Sequence, residues 1–212
     1  MLFDVHTHHL PPAGSVAVFS LCMRDGVPPA GACCLSAGIH PWYLTAEDLD
    51  AQVEWLSAMA RYRGVVAIGE AGIDRCCPTP PELQMRAFRA CAGLSESMGM
   101  PLIIHCVRAV QEVLAVRKEL SPSQPWIMHG FRGKPELASS LLRHGFHLSF
   151  GLRLNEETVR RMPVDRLFLE TDESASGIEA VYSKAASVRG VSVRELESHI
   201  SDNAARVFGI HL

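Results

Sequence analysis

The stretch FDVHTHHL, residues 3–10, places three histidines directly after a short apolar strand. Alternate residues of a strand face the same side, so the imidazoles of His6 and His8 can reach one point. Asp4 shares their side but lies deeper in the strand, and we expect it to support them rather than bind a ligand. His9 faces the opposite side and is assigned a structural role. The pair His6 and His8 is either half of a metal site or a chance cluster among ten histidines.

Composition limits the classes of protein to which the chain can belong. With 48% hydrophobic and 20% charged residues, the 212 residues can form one packed domain over positions 1–212. The net charge of -3 argues against a broad basic surface for nucleic acid, so a phosphate substrate would need a few local cations or metal. Apolar runs are too short for a membrane span, and no membrane partner is expected.

The cysteines indicate a reducing compartment. There are seven of them, an odd number, and none of them forms a C-x-x-C motif. This pattern argues against a disulfide framework and against a thiolate zinc knuckle. The first residues, MLFDVHTHH, also lack the basic and apolar regions of a signal peptide. We therefore expect a cytoplasmic protein.

Short apolar strands alternate with helical patterns along the chain. The eight strand candidates are 2–6, 16–21, 32–38, 65–70, 102–105, 126–129, 146–150 and 167–171. Helices are predicted after Thr45, after the apparent capping box Thr79-Pro80-Pro81-Glu82, and near positions 109, 135, 155, 177 and 192. The pattern predicts an α/β fold of the compact (β/α)8 TIM-barrel type. An open doubly wound sheet is disfavoured because no Gly-rich phosphate loop follows the first strand.

The first two helices of a full barrel are predicted to be missing or reduced. Only about ten residues separate the first two strands. The next link, MRDGVPPAG, contains two prolines and two glycines and no helical pattern. One side of the barrel would then be less covered, and a homodimer could form there.

Ligand-type side chains end five of the strands. In a barrel these carboxyl-terminal ends converge, and barrel enzymes place their active sites there. Four imidazoles and two carboxylates suit zinc, manganese or nickel and exceed one tetrahedral site. Two ions about 3.5–4 Å apart would use them all, with Glu70 as the bridging carboxylate. The predicted metal ligands are His6, His8, Glu70, His105, His129 and Asp172.

The remaining histidines have weaker claims on this site. His40, in the motif GIHPW, is at the correct end of the third strand and is either a substrate contact or a turn residue. The other four, His144, His147, His199 and His211, are expected in helical or surface contexts.

The ordered set FDVHTHHL, AGIHPW, IGEAGIDR, PLIIHCVRA, MHGFRG and LFLETD resembles the TatD family of metal-dependent hydrolases, which belong to the amidohydrolase-like barrels. The resemblance spans essentially the whole chain. It implies that His6 and His8 bind one metal, that Glu70 bridges two, and that His105 and His129 bind the second. It also implies that Asp172 binds metal and orients or deprotonates the attacking water. The implied activity is hydrolysis of phosphodiesters, typically at DNA ends, with magnesium, manganese or zinc.

Three positions depart from the family pattern. The family's usual arginine two residues after the fifth-strand histidine is replaced by Val107, so the phosphate clamp is either displaced to the following Arg108, a candidate substrate contact, or lost. Glu173 and Ser174 follow Asp172, where family members usually have a small residue and proline. Arg132 occupies a position that is usually small and could replace the lost phosphate clamp; otherwise it is a solvated loop residue. These departures affect the choice of substrate more than the hydrolytic chemistry.

Three other functions remain as alternatives. A hydrolase of small amides or esters is disfavoured because many such relatives use a modified lysine where this chain has Glu70. A non-catalytic descendant that binds metal or a partner would be expected to have lost a ligand. A histidinol-phosphatase type of barrel would need more histidines along the later strands.

Overall fold

A computed structural model describing residues 1–212 contains eight parallel strands in a single sheet, in the order of the chain. A bridge between Thr7 and Asp172 joins the last strand to the first. The sheet is therefore a nearly closed barrel, and the predicted (β/α)8 TIM-barrel fold is confirmed. The strands are β1 (Leu2–Thr7), β2 (Ser15–Cys22), β3 (Cys34–Gly38), β4 (Val65–Asp74), β5 (Leu102–Val107), β6 (Trp126–Met128), β7 (Phe146–Phe150) and β8 (Leu167–Leu169).

Seven helices surround this barrel unevenly. No helix connects β1 to β2, and a single 3-10 turn, Met23–Asp25, lies between β2 and β3. The prediction that the first two helices are missing or reduced is therefore confirmed. The helices are α1 (Leu49–Met59), α2 (Pro81–Met98), α3 (Val110–Leu120), α4 (Pro135–Arg143), α5 (Glu156–Arg161), α6 (Ile178–Arg189) and α7 (Val193–Phe208). None of them is both long and apolar enough to cross a membrane.

One continuous apolar core fills the barrel and the layer beneath the helices. Helix α7 packs on β1, where the Phe208 ring lies 5.8 Å from that of Phe3. Trp126 of β6 is fully buried between Phe88 of α2 and Phe146 of β7. Continuously buried strands of this kind are typical of parallel sheets covered on both faces. The rigid barrel fixes where the polar strand ends point.

Two local predictions were wrong. Thr79 does not cap α2: its hydroxyl donates to the carbonyl of Pro41, and the helix begins at Pro81 without a side-chain cap. His147 is not in a helical or surface context, because it lies on β7 and is buried beside the ring of Phe168. In both cases a contact with a distant segment determines the environment of the side chain.

Several strand boundaries also differ from the prediction, and two of them affect the site. Strand β4 continues four residues beyond Glu70, because its extension pairs with His105, Cys106 and Val107 of β5. Strand β8 ends at Leu169, and the following residues turn toward β1. The longer β4 carries Asp74 to the same end of the barrel as Glu70.

Candidate metal centre

The strand ends bring eight possible ligands together at the carboxyl-terminal end of the barrel. We call this group the ligand cluster. Within it, four sets of three residues each have ligand atoms that all lie within 4.8 Å of one another. Its members are His6, His8, His40, Glu70, His105, His129, Glu170 and Asp172. The six residues predicted as metal ligands all lie in it, together with His40 and Glu170.

One oxygen of Glu70 faces the histidines of β1. Its Oε2 atom lies 3.3 Å from His6 Nε2 and 3.7 Å from His8 Nε2. The same two nitrogens lie 3.7 and 3.8 Å from Oδ1 of Asp172, which reaches this point because its backbone pairs with that of His6. Two imidazoles and two carboxylates thus converge on one side of the site.

The other oxygen of Glu70 faces a different set of imidazoles. Its Oε1 atom lies 2.5 Å from His105 Nδ1, 2.7 Å from His129 Nε2 and 3.4 Å from His40 Nε2. A carboxylate with one oxygen toward each of two imidazole groups has the arrangement needed to bridge two cations. Sequence alternation could place Glu70 at this end of the barrel but could not show how its oxygens divide.

Burial and charge oppose each other at the centre of the cluster. Burial tends to raise the pKa of the Glu70 carboxyl, but the adjacent His129 and His6 outweigh it and hold that pKa well below its usual range. Burial likewise tends to lower the pKa of His129, but Glu70 and Glu170 raise it well above its usual range. The pKa of His40 is lowered because burial dominates there. The site therefore stabilises a carboxylate among positive groups.

The far side of the His105 ring is held by a second carboxylate. His105 Nε2 lies 3.1 Å from Oδ2 of Asp74, which is buried at the end of β4. Asp74 itself accepts hydrogen bonds from the indole of Trp42 and the backbone amide of Cys76. A carboxylate that binds one ring nitrogen fixes the tautomer in which the other nitrogen is free to bind a metal.

His129 also faces a second carboxylate, but at a longer distance and without a hydrogen bond. Its Nδ1 lies 3.5 Å from Oε1 of Glu170, while its Nε2 faces Glu70. Glu170 is fully buried and accepts a hydrogen bond from the hydroxyl of Ser149 on β7. Asp4 has a supporting role on the neighbouring strand: it accepts from the amide of His6 and from the amide and hydroxyl of Thr171. These contacts tie the ends of β1, β7 and β8 together.

Sequence reasoning missed Asp74 and Glu170. A signal for both was present in the alternation of strand residues, because Asp74 is four residues after Glu70 and Glu170 is two residues before Asp172. Even spacings place side chains on the same face of a strand. Applying that rule beyond the first polar residue of each strand would have found them.

His40 is a turn residue, and its ring also faces the ligand cluster. Its Nδ1 accepts a hydrogen bond from the amide of Trp42 and so caps the 3-10 turn Pro41–Tyr43. Its Nε2 points into the ligand cluster toward Glu70. The turn therefore orients an imidazole whose Nε2 carries the proton and can donate a hydrogen bond to Glu70 or to a substrate.

Two cavities open beside the ligand cluster. The smaller, about 150 Å³, is lined by His8 and His40 and by Arg24, whose guanidinium lies over the ring of Tyr43. The larger, about 460 Å³, lies beside Asp172.

Of the two arginines considered as substrate contacts, only one lines the larger cavity. Arg132 is among its lining residues. Arg108 is exposed after β5, with a backbone φ of 53°, and lines neither of the two cavities. The structure thus brings Arg132, but not Arg108, to a cavity beside the cluster.

His6 provides a test of whether these residues fit a metal. Both of its ring nitrogens are buried, and neither has a hydrogen-bond partner. A buried polar atom left without a partner costs about 1–3 kcal/mol. Coordination by Nε2, which is within 4 Å of Glu70 and Asp172, would offset this cost. The chemistry of the donor set and this unpartnered nitrogen both fit a divalent cation.

Known proteins resemble the chain in sequence and in structure. The family model described as TatD related DNase matches residues 29–209. The uncharacterized metal-dependent hydrolase YabD of Bacillus subtilis is 30% identical over 190 residues, which cover 79% of this chain and 73% of that protein. The 3'-5' ssDNA/RNA exonuclease TatD of Erwinia amylovora is 28% identical over 209 residues, covering 85% and 80%. The crystal structure of YJJV, a TatD homologue from Escherichia coli, superposes with a TM-score of 0.81 at 19% identity and covers 99% of this chain and 98% of that one.

Proposed function

The chain belongs to the TatD-related DNase family and is a metal-dependent hydrolase, and we propose that it cleaves phosphodiester bonds at the ends of nucleic acid strands. The division of the Glu70 oxygens between two sets of imidazoles carries this proposal. Two adjacent cations are the usual means of holding both the attacked and the leaving oxygen of a phosphodiester. The exonuclease activity named for the Erwinia relative supports the choice of substrate class.

Each metal position would take its own ligands from the cluster. His6, His8 and Asp172 would hold one ion, and His105 and His129 would hold the other, with Glu70 between the two groups. Imidazole-rich sites favour zinc or nickel, whereas magnesium and manganese prefer oxygen ligands. We therefore expect two divalent ions, with zinc or nickel binding more tightly than magnesium.

Bound cations would offset negative charge on the phosphate and lower the pKa of water to near 7. Asp172 is suited to accept the proton of the attacking water, because its carboxylate is half-buried and borders the larger cavity. Its Oδ1 atom faces His6 and His8, so one oxygen is oriented and the other can serve as the base. His40 Nε2, which faces Glu70 and lines the smaller cavity, would donate a hydrogen bond to a phosphate oxygen.

Metal analysis and hydrolysis of bis-nitrophenyl phosphate test this function together. We expect about two metal ions per chain and metal-dependent turnover. The Asp172→Asn variant should keep its fold and lose at least about 100-fold in kcat, because a general base typically contributes that much. Undiminished turnover in this variant would reject the role of Asp172, and an absence of bound metal in the wild type would reject the site.

A substrate panel then decides the substrate class. It should contain single-stranded DNA, phosphodiesters, phosphomonoesters and small amides, each measured with and without added metal. Metal-dependent cleavage of the diesters but not of the amides is the expected result. Preferential cleavage of amides would instead support an amidohydrolase function.

We also propose a cytoplasmic location and a homodimer. The location is supported by the seven cysteines, all of which have free thiols. The dimer is proposed for the side near β2, where helices are missing and Val16 and Phe19 are half-buried. Sedimentation equilibrium at several concentrations would test the dimer.

A further inference from the structure

The larger cavity contains two arginines that the catalytic proposal does not use. Its walls come from the loops that follow β6, β7 and β8, and its volume is about 460 Å³. Arg132 follows β6, and Arg153 follows β7. Asp172 forms part of the wall on the side of the ligand cluster. A group bound between the arginines would therefore be adjacent to the reacting centre.

Neither arginine has an ionic partner within the protein. Arg132 and Arg153 are exposed, and neither makes an ion pair or a side-chain hydrogen bond. Other arginines of this chain do pair, for example Arg89 with Glu119 and Arg161 with Glu157. Two uncompensated guanidinium groups lining one cavity constitute a site for an anion.

The acidic groups of the cavity do not cancel these two charges. Glu170 is engaged by His129 and by the hydroxyl of Ser149, and Asp172 faces the histidines of β1. Glu173 is the remaining carboxylate of the wall, and it also lines the smaller cavity. The larger cavity therefore has two arginines without an ionic partner against one such carboxylate, Glu173, which it shares with the smaller cavity.

We propose that Arg132 and Arg153 bind the phosphate next to the one that is cleaved, so that the substrate is a strand with consecutive phosphates rather than an isolated diester. This inference rests on the proposed function. Guanidinium groups bind phosphate through two parallel hydrogen bonds, which lysine cannot do. A cavity of this volume is in the range of sites that hold small ligands, and it accommodates a sugar and its phosphate.

The two arginines would also compensate for the arginine that family members usually have after the fifth strand. Val107 occupies it, and Arg108 points elsewhere than to either cavity. A second phosphate held from the loops after β6 and β7 would orient the strand from these loops instead. Binding energy from a remote group of the substrate can then position the scissile bond.

Thymidine dinucleotides with different numbers of phosphates provide the test. TpT has one phosphate, whereas pTpT and TpTp have a second one on either side of the scissile bond. The wild type should show a lower KM for one of the two-phosphate substrates than for TpT. In Arg132→Gln and Arg153→Gln this preference should fall by about tenfold or more for each arginine removed. Arg160→Gln is the matched control, because it removes an exposed arginine of α5 and changes the charge equally.

A binding measurement supplies a second readout. Metal-loaded Asp172→Asn protein would be titrated with oligothymidylate at several salt concentrations. Each arginine substitution should reduce the slope of log affinity against log salt by about 0.7, the value for a phosphate contact with a single strand. The Arg160→Gln control should retain the slope of the parent protein.

The outcomes separate this inference from the proposed function. An unchanged preference in both variants together with an unchanged salt slope would overturn the inference while leaving hydrolysis intact. An equal rise of KM for TpT and for both two-phosphate substrates would also overturn it. Wild-type protein that cleaves none of the diesters would overturn the proposed function, and the salt slope would then decide alone whether the arginines bind phosphate.

Discussion

His105 is held by Asp74 on the side of its ring opposite to the ligand cluster: His105 Nε2 lies 3.1 Å from Asp74 Oδ2. Its other nitrogen, Nδ1, faces Glu70 at 2.5 Å. The contact with Asp74 therefore determines which nitrogen of His105 is available to a metal. Carboxylates in this position have measurable effects on metal affinity in other proteins.

The Asp74→Asn substitution should weaken metal binding by about 10–100-fold, because an amide orients the imidazole of His105 less strongly than a carboxylate does. The measurement is a competition titration of the metal-free protein against a chelator of known affinity. Helix content and the unfolding midpoint of the metal-free protein serve as controls for the fold. Affinity equal to that of the wild type would show that Asp74 supports the loop at Trp42 and Cys76 alone.

Removal of metal should lower thermal stability. Ligands that bind only the folded state stabilise it by mass action, about 2.7 kcal/mol at a concentration 100 times Kd. For a protein of this size each kcal/mol shifts Tm by about 2–4 °C, so chelation should lower Tm by roughly 5–10 °C. Restoring the metal should restore Tm in the wild type, with a much smaller recovery in Glu70→Gln. Equal Tm values with and without metal would contradict a site built around Glu70.

The barrel and most of the ligand cluster could be predicted from sequence because both depend on local patterns. The short apolar runs that end in His6, Glu70 or His105 can be recognised in the sequence itself. A parallel barrel then brings those ends together. The role of Thr79 could not be predicted in this way. Its hydroxyl satisfies a carbonyl 38 residues away, and no local pattern encodes that contact.

The finer structure of the site likewise depends on contacts between separate strands. The division of the Glu70 oxygens depends on the register of β4 against β5, which shifts between Ile68 and Ala71. The arginines of the larger cavity come from two different loops, so only the fold shows that they line one space. Sequence supplied the residue types, whereas tertiary packing supplied their orientation.

A pair of glycine substitutions tests how closely β4 and β5 approach each other. A Cβ atom built at Gly72 would lie 1.8 Å from the carbonyl oxygen of His105, and backbone cannot move aside cheaply. Gly72→Ala should destabilise the protein by about 3 kcal/mol or more. Gly93→Ala is the matched control, because Gly93 is exposed in α2 and has nothing within 4 Å of the added atom.

Alanine at Gly93 should stabilise the helix by about 1 kcal/mol. Urea unfolding of the two variants and the wild type provides both values. Similar stabilities for the two alanine variants would contradict the close approach of the strands at Gly72. Gly72→Ala should also weaken metal binding, because the added atom displaces the backbone of His105.

His147 should make stability depend on pH. Burial, together with the nearby charges of Arg166 and Arg206, lowers its pKa from 6.5 to about 4. Its Nδ1 atom is buried without a hydrogen-bond partner, so the neutral ring is the form that the fold accommodates. Between pH 6.5 and 4 the unfolded chain binds more protons than the folded one at this residue. The contribution of His147 to the free energy of unfolding is therefore complete above pH 6.5 and is lost as pH falls toward 4, by up to about 3 kcal/mol.

The His147→Leu variant isolates this effect. Asp4 acts in the opposite direction, because burial raises its pKa to about 7, and it is present in both proteins. The difference in unfolding free energy between the variant and the wild type, both metal-free, should therefore change by up to about 3 kcal/mol in favour of the variant between pH 7 and pH 4. Urea unfolding at closely spaced pH values measures it. A difference that stays constant over this range would mean that His147 titrates alike in the folded and unfolded chains, although it is buried on β7 beside Phe168.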